Sequence, residues 1–227
     1  MSVFVAIPVK TLMDSKTRLL NVLKPEECQS LTLAMLEDVL KVLKQSSAVN
    51  RIAVISSDIK VQEFTINSGV IHILEKKRGL NQAVDQAIHW CLQKEAESIL
   101  ILPADIPLIK PSDVEEMIVL GSDDVSITIA PSQRGGTSAL LLRPPNLIQT
   151  CFGPNSFKRH LVRALKKKIR IKVYHSKSLA MDIDFPEDLE NLVETDAQTM
   201  SHQFFRQIKL DKRLKRQSQN RQRAPCR

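Results

Sequence analysis

Glycine is scarce: six in 227 residues (Gly69, Gly79, Gly121, Gly135, Gly136, Gly153), with neither a GxGxxG run nor a Walker A loop among them. The two commonest glycine-built phosphate cradles are therefore excluded. Cysteine is sparse as well. Cys28, Cys91, Cys151 and Cys226 form no CxxC pair and the five histidines show no ligand spacing, which argues against structural zinc and for a reduced, cytoplasmic setting. One Trp and one Tyr offer little surface for base stacking, which counts against an RNA-binding module. No apolar run approaches the roughly 20 residues of a membrane span, and the run before Lys10 is too short for a signal peptide. A soluble chain with no membrane partner is expected.

Net charge is also missing from most of the chain. The net charge is +8, but residues 206–227 hold nine Lys and Arg against the single acid Asp211, so residues 1–205 are neutral. The expected organisation is one domain over 1–205 and a basic tail over 206–227, disordered in its last dozen positions where apolar residues run out. Nucleic acid binding, if any, would be confined to that tail. A second basic run, KRHLVRALKKKIRIK (158–172), contains no acid and reads either as a solvated helix face or as part of an anion site.

What is present is an alternation. Apolar β-type runs (VFVAI 3–7, RIAVIS 51–56, VIHIL 70–74, SILIL 98–102, VSITIA 125–130, ALLL 139–142, IRIKVY 169–174) are interleaved with amphipathic stretches beginning at Pro25, Leu80, Pro111, Ser156 and Pro186. Three of these open on a proline, which the first helical turn tolerates because its N–H is unpaired anyway. This pattern predicts an α/β domain with a mostly parallel sheet flanked by helices. In such sheets ligands bind beyond the carboxyl ends of the strands.

SILILPADIPLI (98–109) carries an acid, Asp105, to that rim between two prolines, where it suits a metal better than a helix cap. After the first strand, IPVKTLMDSKTRLL gathers Lys10, Lys16 and Arg18, three cations that suit a polyphosphate. MDIDFPEDLENL places Asp182 and Asp184 two residues apart, so that both carboxylates of an extended segment face one way. Capping of the next helix is the simpler reading there, and Glu187 and Asp188 fit it. Asp105, Asp184 and Asp182 are the expected metal ligands, with carboxylate and phosphate oxygens pointing to Mg2+. From these residues alone, any nucleotidyltransferase making a nucleotide-diphospho sugar or alcohol remains open.

PVK followed by SKTRL, RGLNQA (78–83), LPADIPL (102–108), RGGTSALLLRPP (134–145), FGPNSFKRH (152–160) and DIDFPEDL (182–189) together resemble the 2-phospho-L-lactate guanylyltransferases, the archaeal enzymes of deazaflavin coenzyme F-420 biosynthesis. The resemblance implies a single-domain, Rossmann-like nucleotide-diphospho-sugar transferase fold. It implies condensation of GTP with 2-phospho-L-lactate, or a close phospho-acid such as phosphoenolpyruvate, to lactyl-2-diphospho-guanosine and pyrophosphate. It implies a magnesium-dependent, cytoplasmic enzyme, often a homodimer. On this pattern Asp105, Asp184, Lys10 and Lys16 are catalytic, and Lys10, Lys16 and Arg18 hold the leaving phosphates. Gly79 and Asn81 lie near base or ribose, while Thr137, Gly153 and Ser156 take the acceptor phosphate. Ordinary turn and cap chemistry is the competing reading of the last three.

Overall fold

In the computed structural model, which describes residues 2–214, the run VFVAIP becomes β1 (Val3–Pro8) and sets the direction of the sheet. There follow α1 (Pro25–Gln45), β2 (Val49–Ser56), α2 (Ile59–Asn67), β3 (Ile71–Leu74), α3 (Leu80–Gln93), β4 (Ser98–Ile101), α4 (Pro111–Leu120), β5 (Ser126–Pro131), β6 (Thr137–Arg143), α5 (Ser156–Lys166), β7 (Ile171–Val173), α6 (Lys177–Ala180), α7 (Pro186–Val193) and α8 (Met200–Ile208). The seven strands lie in the order β3-β2-β1-β4-β6-β5-β7. All pairings are parallel except those of β6, which runs antiparallel to β4 and to β5. The reason is the connection between β5 and β6: residues 132–136 allow only a hairpin, since a parallel return needs a dozen residues or more. That hairpin carries Arg134, Gly135 and Gly136 to the rim.

Alternation along β1 divides the core. Val3, Val5 and Ile7 pack under α1, α2 and α4, while Phe4 and Ala6 pack under α3 and α5. Both faces are thus covered, which explains why the strands read as unbroken apolar runs. A third cluster lies on the far side of α1, where Leu31 and Met35 meet Ile183, Leu189 and Leu192 and the C-terminal residues Phe205, Leu210 and Leu214.

Three helices, α2, α6 and α8, had no counterpart among the expected elements. α2 and α8 are nine residues each and α6 is four, too short to display a long apolar stripe, though each has a side-chain cap in Asp58, Ser176 or Thr199. The expected boundary at 206 falls inside the packed body. Leu210 and Leu214 are buried, and Arg213 clasps Glu27 at the start of α1 with two bonds of 2.8 and 2.9 Å. The last dozen positions, expected to be disordered, lie outside the described residues.

The buried Asp38 of α1 holds α8 in place by accepting from the Met200 N–H (2.6 Å), the Ser201 N–H (3.0 Å) and the Ser201 hydroxyl (2.6 Å). Asp38→Ala strands three donors, so a loss of about 2 kcal/mol of unfolding free energy is expected. Thermal or urea unfolding checks it.

Candidate functional site

Asp105 leaves β4 on the segment between Pro103 and Pro107, and Asp184 arrives from the far end of the chain. A backbone hydrogen bond from the Ile183 N–H to the Asp105 carbonyl (3.0 Å) ties the two segments together. Between the carboxylates stands Lys16. Its Nζ is 2.5 Å from Asp105 Oδ2 and 3.0 Å from Asp184 Oδ1, and its side chain is only 6% exposed. Lys16 reaches this position from a left-handed backbone conformation, φ 55°, between two short 3-10 turns. Burial works to push its ammonium down, but the charges and hydrogen bonds of Asp105 and Asp184 outweigh it and the net shift is upward.

Around this clamp lies a ring of charge. Arg18 stands 3.6 Å from Asp184 Oδ2. Arg134, from the β5–β6 hairpin, donates to Asp188 Oδ1 at 2.7 Å and lies 3.8 Å from Asp182 Oδ1. Both guanidiniums sit over the Phe185 ring, at 4.8 and 4.5 Å from its centroid. Asp188 is the helix cap expected of it, its other oxygen accepting from the Asp184 and Phe185 N–H groups. Three cations (Lys16, Arg18, Arg134) face three acids (Asp105, Asp182, Asp184). Arg134 and Phe185 were absent from the sequence-derived site, although Arg134 immediately precedes the Gly135-Gly136 pair.

Among the described residues, no group of three or more His, Cys, Asp or Glu side chains is gathered as a metal cage. The donor set nevertheless suits a hard cation: two carboxylates already converge on one positive charge, and Asp182 Oδ1 is buried with no hydrogen-bond partner. Burial, then the charges of Asp105 and Asp184, raise the Asp182 carboxyl to about 6 from its ordinary 3.8. The folded protein therefore keeps this proton over a range in which the unfolded chain has lost it. Its contribution is full below about pH 4 and disappears as pH rises to about 6. In EDTA, Asp182→Asn should remove this decline and raise stability at pH 7.5 by roughly 2–3 kcal/mol. Urea unfolding at pH 4 and 7.5 checks it, and an equal effect at both pH values would refute it.

A cavity of about 260 Å³ is lined by Lys10, Thr11, Ser57, Glu75, Gly79 and Leu80 among others. It lies past the carboxyl ends of β1, β2 and β3, where ligands of parallel sheets bind. Gly79 caps α3 at φ 124°, a conformation closed to side-chain-bearing residues. Glu75 accepts from the Gly79 N–H and the Ser57 hydroxyl, and Arg78 pairs with Asp14 across the mouth. Lys10 is exposed on this wall rather than in the clamp. Asn81 does not line the cavity. Its amide pairs with the backbone of Phe152, accepting from the N–H at 2.7 Å and donating to the carbonyl at 3.2 Å, and so pins the 152–155 loop to α3.

On the opposite side, that loop and the β5–β6 hairpin bring Thr137, Gly153 and Ser156 together. The Ser156 hydroxyl donates to Thr137 Oγ1 at 3.2 Å, and the Ser156 N–H donates to the Gly153 carbonyl at 3.0 Å. Gly153 has φ 115°, again a glycine-only conformation. Apart from Asn81, the fold thus places the named residues at three stations, the cavity, the clamp and the Thr137 corner.

The family described as guanylyl transferase, CofC like, matches residues 3–226. A phosphoenolpyruvate guanylyltransferase of Rubrobacter xylanophilus is 39% identical over 193 residues, covering 85% of this chain and 94% of its own. A 2-phospho-L-lactate guanylyltransferase of Methanocaldococcus jannaschii is 35% identical over 218 residues, covering 96% and 94%. Among solved structures, a Desulfovibrio desulfuricans chain with a provisional nucleotide-diphospho-sugar transferase assignment aligns with TM-score 0.78 at 14% identity, covering 95% of this chain and 98% of its own. A cytidylyltransferase from Leptospira borgpetersenii aligns with TM-score 0.61 at 18% identity, covering 100% and 99%. At such identities the structures speak for the fold alone, that of the nucleotide-diphospho-sugar transferases. The sequence match carries the rest: running over nearly the whole chain, it makes this protein a member of the CofC-like guanylyl transferase family.

Proposed function

We propose that this enzyme condenses GTP with 2-phospho-L-lactate, or a close phospho-acid such as phosphoenolpyruvate, releasing pyrophosphate and a guanylated phospho-acid for coenzyme F-420 biosynthesis. The observation that carries the reading is Lys16 held between Asp105 and Asp184 at 2.5 and 3.0 Å, a buried point where cation and anion sites meet at the strand ends. Transfer to a phosphate needs no side-chain nucleophile and no general base. An oxygen of the acceptor phosphate, already ionised, forms the new bond to the α-phosphorus as the bond to pyrophosphate breaks. The protein has to cancel repulsion between anions and hold them in line.

Each station has a part in that task. The cavity past β1, β2 and β3 takes the guanosine, with Gly79 allowing close approach of the backbone. Lys16, exchanged off the two carboxylates, takes the leaving phosphates together with Arg18 and Lys10. Arg134, over Phe185, adds a second guanidinium to the transferring charge. Thr137 and Gly153 receive the acceptor phosphate, supported by Ser156. Magnesium, when held by Asp105 and Asp184 with Asp182 beside them, supplies Lewis-acid stabilisation and a template for the phosphates.

Incubation of the protein with magnesium, labelled GTP and, in turn, 2-phospho-L-lactate, phosphoenolpyruvate and 3-phosphoglycerate tests the proposal. Pyrophosphate and a guanylated product are expected with at least one of the first two. Release only with CTP or only with a sugar phosphate would replace this reading by that of a different nucleotidyltransferase.

A further inference from the structure

Every other polar or charged residue of α5 reaches the surface or the Thr137 corner, but His160 is completely buried and bridges two elements. Its Nε2 lies 2.9 Å from the backbone N–H of Cys151, and its Nδ1 lies 3.0 Å from Thr137 Oγ1. A backbone N–H can only donate, so Nε2 is the unprotonated acceptor. The proton of the neutral ring is then on Nδ1, and Nδ1 donates to Thr137. Burial, together with the charges of Arg163 and Arg159, lowers the ring's pKa to about 4, so this tautomer persists through the neutral range. The Phe152 ring packs edge-on against it at 5.1 Å between centroids.

The consequence falls on Thr137. Its oxygen has two lone pairs, one filled by Nδ1–H of His160 and the other by the Ser156 hydroxyl at 3.2 Å. With both taken, the Thr137 hydroxyl can act outward only through its proton. Ser156 is 1% exposed and its N–H is spent on the Gly153 carbonyl, so the outward donor of this corner is Thr137.

We propose that His160 is a positioning residue of the acceptor station, which with Ser156 fixes Thr137 as an obligate hydrogen-bond donor to an ionised oxygen of the phospho-acid. The proposal rests on the reading of Thr137 as part of that station. An unconstrained threonine hydroxyl accepts or donates with equal ease. One locked as donor favours acceptor-only oxygens, those of phosphate and carboxylate, over groups that must themselves donate.

Two substitutions separate the roles of the two ring nitrogens. Asparagine places its amide nitrogen near the position of Nδ1 and keeps donation to Thr137, whereas glutamine reaches the position of Nε2 and keeps only the bond from Cys151. With the full chain, Thr137→Ala should raise KM for the phospho-acid about tenfold to a hundredfold. H160Q should raise it about tenfold and H160N much less, with KM for GTP unmoved throughout. The double variant H160Q/T137A should be no worse than Thr137→Ala alone. Independently of any variant, nitrogen NMR of the histidine-labelled protein should show His160 protonated at Nδ1 and not at Nε2, with its signals moving on addition of phospho-acid but not of GTP. A proton on Nε2, an equal rise in both KM values in H160Q, or additive losses in the double variant would overturn the role of His160. Unchanged phospho-acid KM in Thr137→Ala would instead remove Thr137 from the acceptor station, and the inference with it.

Discussion

Asp105→Asn and Asp184→Asn are each expected to leave a folded protein whose turnover falls on the order of a thousandfold or more. A carboxamide keeps the shape and an acceptor oxygen but loses the charge that would hold a divalent cation. Several kcal/mol of transition-state stabilisation go with that charge, at about 1.4 kcal/mol per tenfold. The fold survives because Lys16 is clamped twice: with Asp105 neutralised its ammonium still has Asp184 at 3.0 Å, and with Asp184 neutralised it has Asp105 at 2.5 Å. Neither variant leaves a buried charge alone, so the stability cost should be about 1–2 kcal/mol rather than the several that follow from stranding one. Steady-state turnover with saturating GTP and phospho-acid, set beside urea unfolding in EDTA, checks both halves. Near-normal turnover in Asp105→Asn would refute the assignment of that carboxylate, and an unfolded Asp184→Asn would show that the clamp is structural before it is catalytic.

The position of Asp105 at the rim is legible from the chain alone. A short apolar strand running into Pro-Ala-Asp-Ile-Pro fixes an acid at the rim, and the rim is where parallel sheets bind ligands. Lys16 was visible as a cation beside the first strand, but its partners were not. They lie 89 and 168 residues away and meet it where the Ile183 N–H bonds to the Asp105 carbonyl. The same holds for Arg134 and Phe185, whose packing is tertiary. His160 is a lone histidine within a basic run, and nothing in its spacing points to Thr137, 23 residues earlier. Strands and long helices were legible because their periodicity is local. α8 was not, because its burial depends on Asp38 and on the far face of α1, and because the basic residues around Leu210 and Leu214 make an exposed tail the natural reading. The placement of Thr137, Gly153 and Ser156 came through likeness to a family, since by residue type alone a turn and a helix cap account for them equally well.

Lys16→Met should destroy turnover and, at the same time, strengthen the response of the protein to divalent cations. The Lys16 ammonium pairs with Asp105 and Asp184 at once. A cation entering this site without nucleotide has to displace it. With methionine at position 16 most of the side-chain length is kept, but the three acids Asp105, Asp182 and Asp184 face one another with Arg18 and Arg134 as the cations paired to them. Their mutual repulsion has two expected results. In EDTA the variant is less stable at pH 7.5 than at pH 5, because protonation relieves the crowding. On addition of magnesium or manganese alone it is stabilised by about 2.7 kcal/mol once the ion reaches a hundred times its dissociation constant for the variant, and the wild type far less at the same concentration. Turnover should fall on the order of a hundredfold to a thousandfold, as is usual when a group aimed at transition-state charge is removed. The measurement is thermal and urea unfolding of both proteins across a magnesium titration without nucleotide, followed by turnover with GTP. If magnesium stabilises wild type and Lys16→Met equally, Lys16 does not compete for the carboxylates. If the variant keeps turnover, the lysine belongs to the resting protein and not to the reaction.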